Sequence, residues 1–277
     1  LSDRPGMDSQ ETNSVGIKLL KNFNHFDLQS FTSFTKTDVV FSYDADWGNP
    51  DSHFPYIYDY FSETFRKRDT FSQEIRFLSK NINFSKENPF EWIFGFHLSE
   101  LEETNLTRDD GAYGDPSDPF GPYVSESIIL RNYEAENFSL FGNIDYFILD
   151  NLKLALGLRW ENWNSKYNDS NNESFNPSDN MNGGKLSLIK YKDRSNIYFA
   201  IARGYKQGGF NLGLDATDNS IRDSLIFDPE FLTNYEIGLT SNTNNSNINY
   251  SAVLFYSKRE DQQVLISKQV DPTDPNT

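Results

Sequence analysis

The sequence predicts an all-β chain, an antiparallel up-and-down meander, on three observations. Large apolar residues recur at every second position through many segments, which is the period of a strand and not of a helix. Clusters of Asn, Asp, Ser and Gly punctuate those segments, at 49–52, 115–118, 168–172, 215–219 and 241–247; such residues form turns because they tolerate positive φ and bond their own backbone. Tight links and long links between the segments strictly alternate.

Ten strands follow in order: Val15–Leu20, Asp27–Tyr43, Thr64–Lys80, Phe90–Thr107, Glu126–Ile148, Leu152–Asn164, Lys185–Tyr191, Asn196–Lys206, Pro229–Ser241 and Ile248–Ser267. The sixth carries the strongest pattern, with Leu152, Leu154, Leu156, Leu158 and Trp160 on one face and Lys153, Ala155, Gly157, Arg159 and Glu161 on the other. The fifth repeats it with Phe138, Leu140, Gly142, Ile144 and Tyr146, the eighth with Ile197, Phe199 and Ile201, and the ninth with Tyr235, Ile237 and Leu239. Trp92, Phe94, Phe96 and Leu98 mark the fourth, and Phe71–Leu78 the third more weakly. No run keeps the i, i+3, i+4 spacing of a helix, and the runs are rich in aromatics, which favour strands.

The links after odd-numbered strands are short: 21–26, 81–89, 149–151, 192–195 and 242–247. Those after even-numbered strands, 44–63, 108–125, 165–184 and 207–228, are each roughly twenty residues. Loops beyond about 12–15 residues are uncommon in compact domains. Tight turns at one end and long loops at the other are the pattern of an outer-membrane barrel. A soluble β-sandwich also yields alternation. It fits less well, because several strands here run past the usual 3–10 residues. Aromatics also gather at strand ends, at Tyr146, Phe147, Trp160, Trp163, Tyr191 and Tyr205, where interfacial girdles stand.

Composition narrows the function. The 277 residues carry 25 Lys+Arg against 41 Asp+Glu, a net charge of −16, with no cysteine. So acidic a chain lacks the basic face that nucleic acid needs, and without cysteine it has no disulfide, thiolate metal site or thiol nucleophile. Mean hydropathy is −0.67, and no apolar run approaches the length of a transmembrane helix. The aromatic share of 16% argues against disorder.

Specific words then become readable. Arg203-Gly204-Tyr205-Lys206-Gln207-Gly208-Gly209-Phe210-Asn211 resembles the "GYK-x-GGFN" segment of TonB-dependent outer-membrane receptors. Ser72-Gln73-Glu74-Ile75-Arg76, Leu156-Gly157-Leu158-Arg159, Phe227-Asp228-Pro229-Glu230 with Asn234-Tyr235-Glu236-Ile237-Gly238-Leu239, and Asp261-Gln262-Gln263-Val264 resemble further strands of that family, in the expected order. Thr240 stands where the family often has Lys. The resemblance implies an antiparallel transmembrane barrel of 22 strands, plugged by an N-terminal domain and driven by a TonB complex. Residues 1–277 are then expected to be part of that barrel domain, about ten strands, entered at Leu1–Ser14 and left at Asp271–Thr277 within external loops. Neither plug nor TonB box is in this sequence, and such a piece would leave two sheet edges unpaired.

The expected function is uptake of a scarce solute: an iron–siderophore chelate first, with cobalamin or an oligosaccharide as alternatives. A secreted β-sandwich that binds carbohydrate is the rival of a different class. An outer-membrane enzyme is disfavoured. His25, His53 and His97 are scattered without metal spacing, and no nucleophile elbow or P-loop occurs. No cofactor is expected. The acidic stretches 100–103, 108–110 and 115–118 could offer oxygen ligands to Ca²⁺, but their spacing is not that of a calcium loop. Expected partners are outer-membrane lipid, a TonB complex reached through an N-terminal region, and a small ligand such as a metal chelate. The ligand site is placed at the external mouth, on Arg203, Lys206 and Arg222 for charge and Tyr205 and Phe210 for stacking. Alternatively those cations bind outer-leaflet lipid phosphates or pair with Asp215, Asp218 and Asp223.

Overall fold

The computed structural model describes residues 3–49, 51–80, 89–212, 225–242 and 249–264. Thirteen strands follow one another, with no helix among the described residues. They are β1 (Met7–Asn22), β2 (Phe26–Asp44), β3 (Ile57–Ser79), β4 (Phe90–Gly114), β5 (Tyr123–Leu149), β6 (Leu152–Asp169), β7 (Ser174–Phe175), β8 (Ser178–Lys192), β9 (Ser195–Lys206), β10 (Gly209–Phe210), β11 (Ile226–Phe227), β12 (Glu230–Asn242) and β13 (Asn249–Glu260). One sheet runs β1-β2-β3-β4-β5-β6-β8-β9-β12-β13, each strand antiparallel to its neighbour in sequence, with β7 appended to β6; β10 and β11 form a separate hairpin. All ten predicted strands are present. Among the described residues β1 and β13 each pair on one side only, so the sheet is open.

Most strands are longer than the sequence suggests and the loops shorter; the last, expected over Ile248–Ser267, is strand only over Asn249–Glu260, because residues 261–264 leave the ladder, and 248 and 265–267 lie outside the described residues. β3, β4 and β5 reach 23, 25 and 27 residues, and β1 begins at Met7 where residues 1–14 were expected to be loop. The reason is pairing. Segments such as Ser9–Ser14 and Arg108–Gly114 have polar side chains on both faces and no apolar alternation, yet they continue ladders against 35–40 of β2 and 57–63 of β3. Backbone hydrogen bonds to a neighbouring strand set their conformation, and the side chains do not reveal it. The links 165–184 and 207–228 similarly hold β7 and the β10–β11 hairpin.

Register puts the apolar positions in one row. Trp92, Ile144, Leu156, Leu186, Ile201, Tyr235 and Tyr256 stand side by side across β4, β5, β6, β8, β9, β12 and β13. One residue along, on the other face, stand Asp145, Ala155, Ser187, Ala200 and Glu236. Successive side chains of a strand alternate faces, so one face is hydrocarbon and the other polar or small. The hydrocarbon face is uncovered: Leu158 is 63% exposed and Leu254 73%. The polar face contains the buried side chains, among them Ser139, Glu161, Met181 and Ser187. A single sheet crowds only the face towards which it curls, so the polar face is the inner, concave one. At about 25 cal/mol for each Å² of apolar surface kept from water, the outer face requires an apolar surrounding. A β-sandwich would bury that face against a second sheet; among the described residues the only other sheet is the short β10–β11 hairpin.

Candidate functional site: the inner face of the barrel mouth

Tight turns, 150–151 and 193–194, close one end of the sheet, and the longer loops mark the other as external. Near the external end the inner face carries an aromatic cluster. Trp163 and Tyr167 share the parity of Glu161 on β6 and are 4% and 3% exposed. Tyr167 stands directly opposite Tyr133 of β5. The β10–β11 hairpin lays Phe210 across them, with its ring centroid 5.1 Å from Tyr167 and 6.1 Å from Tyr133. Phe210 also stacks on Phe175 at 5.1 Å and an interplanar angle of 10°. Tyr133, Trp163, Tyr167 and Phe210, together with Arg131, Glu103 and Asn105, line a cavity of about 330 Å³. Arg131 donates to Thr107 Oγ1 at 2.8 Å, so the cavity lining holds a cation as well as aromatic rings.

The Gly208-Gly209 pair makes this placement possible. A Cβ on Gly208 would lie 2.5 Å from the Phe227 carbonyl oxygen and 2.7 Å from Asp179 Oδ2; one on Gly209 would lie 2.6 Å from the Phe227 ring. The Gly208 amide donates to Asp179 Oδ2 at 3.2 Å, and Asn211 N donates to the Leu225 carbonyl at 2.9 Å. Gln263 ties the base of the hairpin, its Nε2 donating to the carbonyls of Gln207 at 2.8 Å and Asp228 at 3.1 Å. Three separate sequence words thus knit one rim structure.

Below the cavity lies a carboxylate network. Glu161 accepts from Arg159 Nη2 at 2.7 Å, from the Tyr205 hydroxyl at 2.8 Å, and from Asn137 Nδ2. Arg159 Nε also donates to the Tyr205 oxygen at 3.1 Å. A second carboxylate, Glu236, accepts from the Tyr198 hydroxyl and from Asn234.

The five residues singled out from the sequence do not converge. Phe210 is in the cavity. Tyr205 turns inward over Gly183, where a Cβ would meet its ring at 3.0 Å, and its hydroxyl is committed to Glu161. Lys206 is opposite Glu230 at the end of β9. Arg203 is on the outer face, in register with Leu158 and Gly184. Arg222, like Asp215, Asp218 and Asp223, lies outside the described residues. Sequence reading missed Tyr133, Trp163, Tyr167 and Arg131. It took Trp163 for an outer girdle residue with Trp160, although the odd parity it shares with Glu161 was the available signal.

Each acidic stretch has carboxylates held by protein partners. Asp115 accepts from the Ser117 amide and hydroxyl, and Asp118 from the Phe120 amide and the Tyr123 hydroxyl. Asp110 pairs with Arg4 at 2.8 Å and Glu103 with Arg68 at 2.5 Å. No group of three or more His, Asp or Glu among the described residues is arranged to hold a metal ion.

An open antiparallel wall, hydrocarbon outside, polar and aromatic inside, with a docked rim hairpin, defines the class: an outer-membrane β-barrel. The sequence matches the family described as TonB dependent receptor-like, beta-barrel, over residues 2–277, and the chain belongs to that family. The fold is similar to that of the ferric yersiniabactin uptake receptor FyuA from Yersinia pestis, at 18% identity and a TM-score of 0.66, covering 92% of this chain and 37% of that one. It is similar to the ferric citrate transporter FecA at 16% identity and a TM-score of 0.58, covering 97% and 37%. The copper transporter OprC matches at 14% identity and a TM-score of 0.57, covering 88% and 38%. The chain therefore spans well under half the length of these proteins. The family places it in the outer membrane of Gram-negative bacteria.

Proposed function

We propose that residues 1–277 form part of the barrel domain of a receptor for TonB-energised uptake of a scarce solute, an iron–siderophore-type chelate before any other. The observation that carries the choice is the mouth cavity, which Arg131 lines together with Tyr133, Trp163, Tyr167 and Phe210. An anionic chelate with planar aromatic or hydroxamate groups has the matching chemistry: stacking on the rings and charge-assisted hydrogen bonds to a guanidinium. The ferric-chelate receptors of the same fold support it. In this reading the solute is bound and passed on unchanged. TonB would act through an N-terminal region of the full-length receptor.

The test is binding by the full-length receptor of a probe panel: ferric citrate, a ferric catecholate chelate, copper(II), cobalamin and a malto-oligosaccharide. A ferric chelate is expected to bind saturably, and Phe210→Ala to weaken it by roughly 2- to 13-fold, the value of one stacked ring. Tight binding of the oligosaccharide alone, or unchanged affinity in both Phe210→Ala and Arg131→Ala, overturns the reading.

A further inference from the structure

The outer face is not evenly covered by side chains. Gly142 of β5 and Gly184 of β8 both stand opposite Leu158 of β6. Where two side chains are missing from the hydrocarbon layer a groove of about 950 Å³ opens, walled by Phe94, Leu140, Leu156 and Ile201 among others. Arg203 stands at its external end. Along β9 the outward residues run Ile197, Phe199, Ile201 and then Arg203, so the guanidinium lies one step beyond the apolar belt. It donates to Asn182 Oδ1 at 2.8 Å and rests over the Phe231 ring with its carbon 4.1 Å from the centroid. It makes no ion pair among the described residues. Its acidic neighbour Glu260 is engaged by Lys258 at 2.7 Å, and Lys258 lies in the same cross-strand row as Arg203, with Thr233 between them.

A guanidinium at this level in a chain of charge −16 faces lipid headgroups and not the solute pathway. Its fork geometry suits phosphate. The geometry points to a specific lipid site on the barrel's outer face: Arg203 and Asn182 hold the phosphate of an external-leaflet lipid, and one acyl chain fills the groove over Gly142 and Gly184. The occupant needs both parts. An apolar chain alone leaves Arg203 without its anion, and a free phosphate leaves the groove empty. The site is independent of which solute the receptor carries.

The test uses the full-length receptor, delipidated in detergent and titrated with dipalmitoyl phosphatidic acid or with dipalmitoylglycerol, bound lipid being counted by native mass spectrometry. Wild type should retain one phosphatidic acid and little diacylglycerol. Arg203→Ala should lose about tenfold in phosphatidic acid retention, as a charge-assisted phosphate contact is worth. Arg203→Gln, which keeps a polar group beside Asn182, is the substitute if the alanine variant does not fold. Gly142→Leu, whose Cβ has its nearest contact at 3.4 Å, fills the groove and should also lower retention. Unchanged phosphatidic acid retention in the Arg203 variant, equal retention of both lipids by wild type, or undiminished retention in Gly142→Leu overturns the proposal.

Discussion

Placing Arg at position 156 of the full-length receptor should prevent its folding into the membrane, whereas Arg at 155 should be tolerated. Leu156 stands between Ile144 and Leu186 in the middle of the outer apolar row. A charge on the lipid face at mid-membrane costs about 2–4 kcal/mol, equivalent to roughly thirtyfold to several-hundredfold in the folding constant. Ala155 is one residue away and directly opposite Asp145, which already holds Lys153 at 3.0 Å. An added guanidinium there meets a carboxylate on the wet face, where such a pair is worth about 0–1 kcal/mol. Heat-modifiable migration on gels reports folding, and urea titration in liposomes gives the difference. Equal loss in the two variants would refute the assignment of faces, and with it the argument that the hydrocarbon layer points to lipid.

Further outcomes follow from the same geometry. Gly209→Ala should dislodge the rim hairpin at a cost of about 1–3 kcal/mol, seen as faster proteolysis near Phe210 in a barrel that still migrates as folded. Tyr205→Phe removes one of the donors to Glu161 and should destabilise the barrel by about 1 kcal/mol in urea titration; no change would show that the hydroxyl is dispensable to the network. The Ser117 amide, and then its hydroxyl, hold the Asp115 carboxyl below the usual carboxylate range. The β4–β5 turn should therefore be fully formed above that range and loosen as pH falls through the lowered value. Hydrogen exchange at Ser117 should show this in wild type and lose its acid dependence in Asp115→Asn.

Strand identity was legible in the sequence because side chains in a strand alternate strictly. Leu152 through Trp160 declare both faces before any partner is known, and Glu161 and Arg159 are assigned inward by parity alone. The family resemblance was also a sequence property, since the words at 72–76, 156–159, 203–211 and 234–239 stand in order. Parity could have assigned Trp163 inward too, but a tryptophan near a strand end reads as a girdle residue when only composition is weighed.

Register decided the rest. Tyr133 and Tyr167 are separated by the full turn between β5 and β6, and only the ladder sets them face to face. Phe210 reaches them because Gly208 and Gly209 let the backbone pass where any Cβ would collide with Phe227, a constraint set by another segment of chain. Arg203 and Tyr205 have the same parity and adjoin the same motif, yet they part. The β8–β9 ladder ends at Gly184 and Arg203, and beyond it the bare backbone at Gly183 lets Tyr205 fold inward to Glu161. Alternation is a local rule that each strand carries in its own residues. Convergence of side chains from β5, β6 and the rim hairpin depends on inter-strand hydrogen bonds and close approaches, which no single segment encodes.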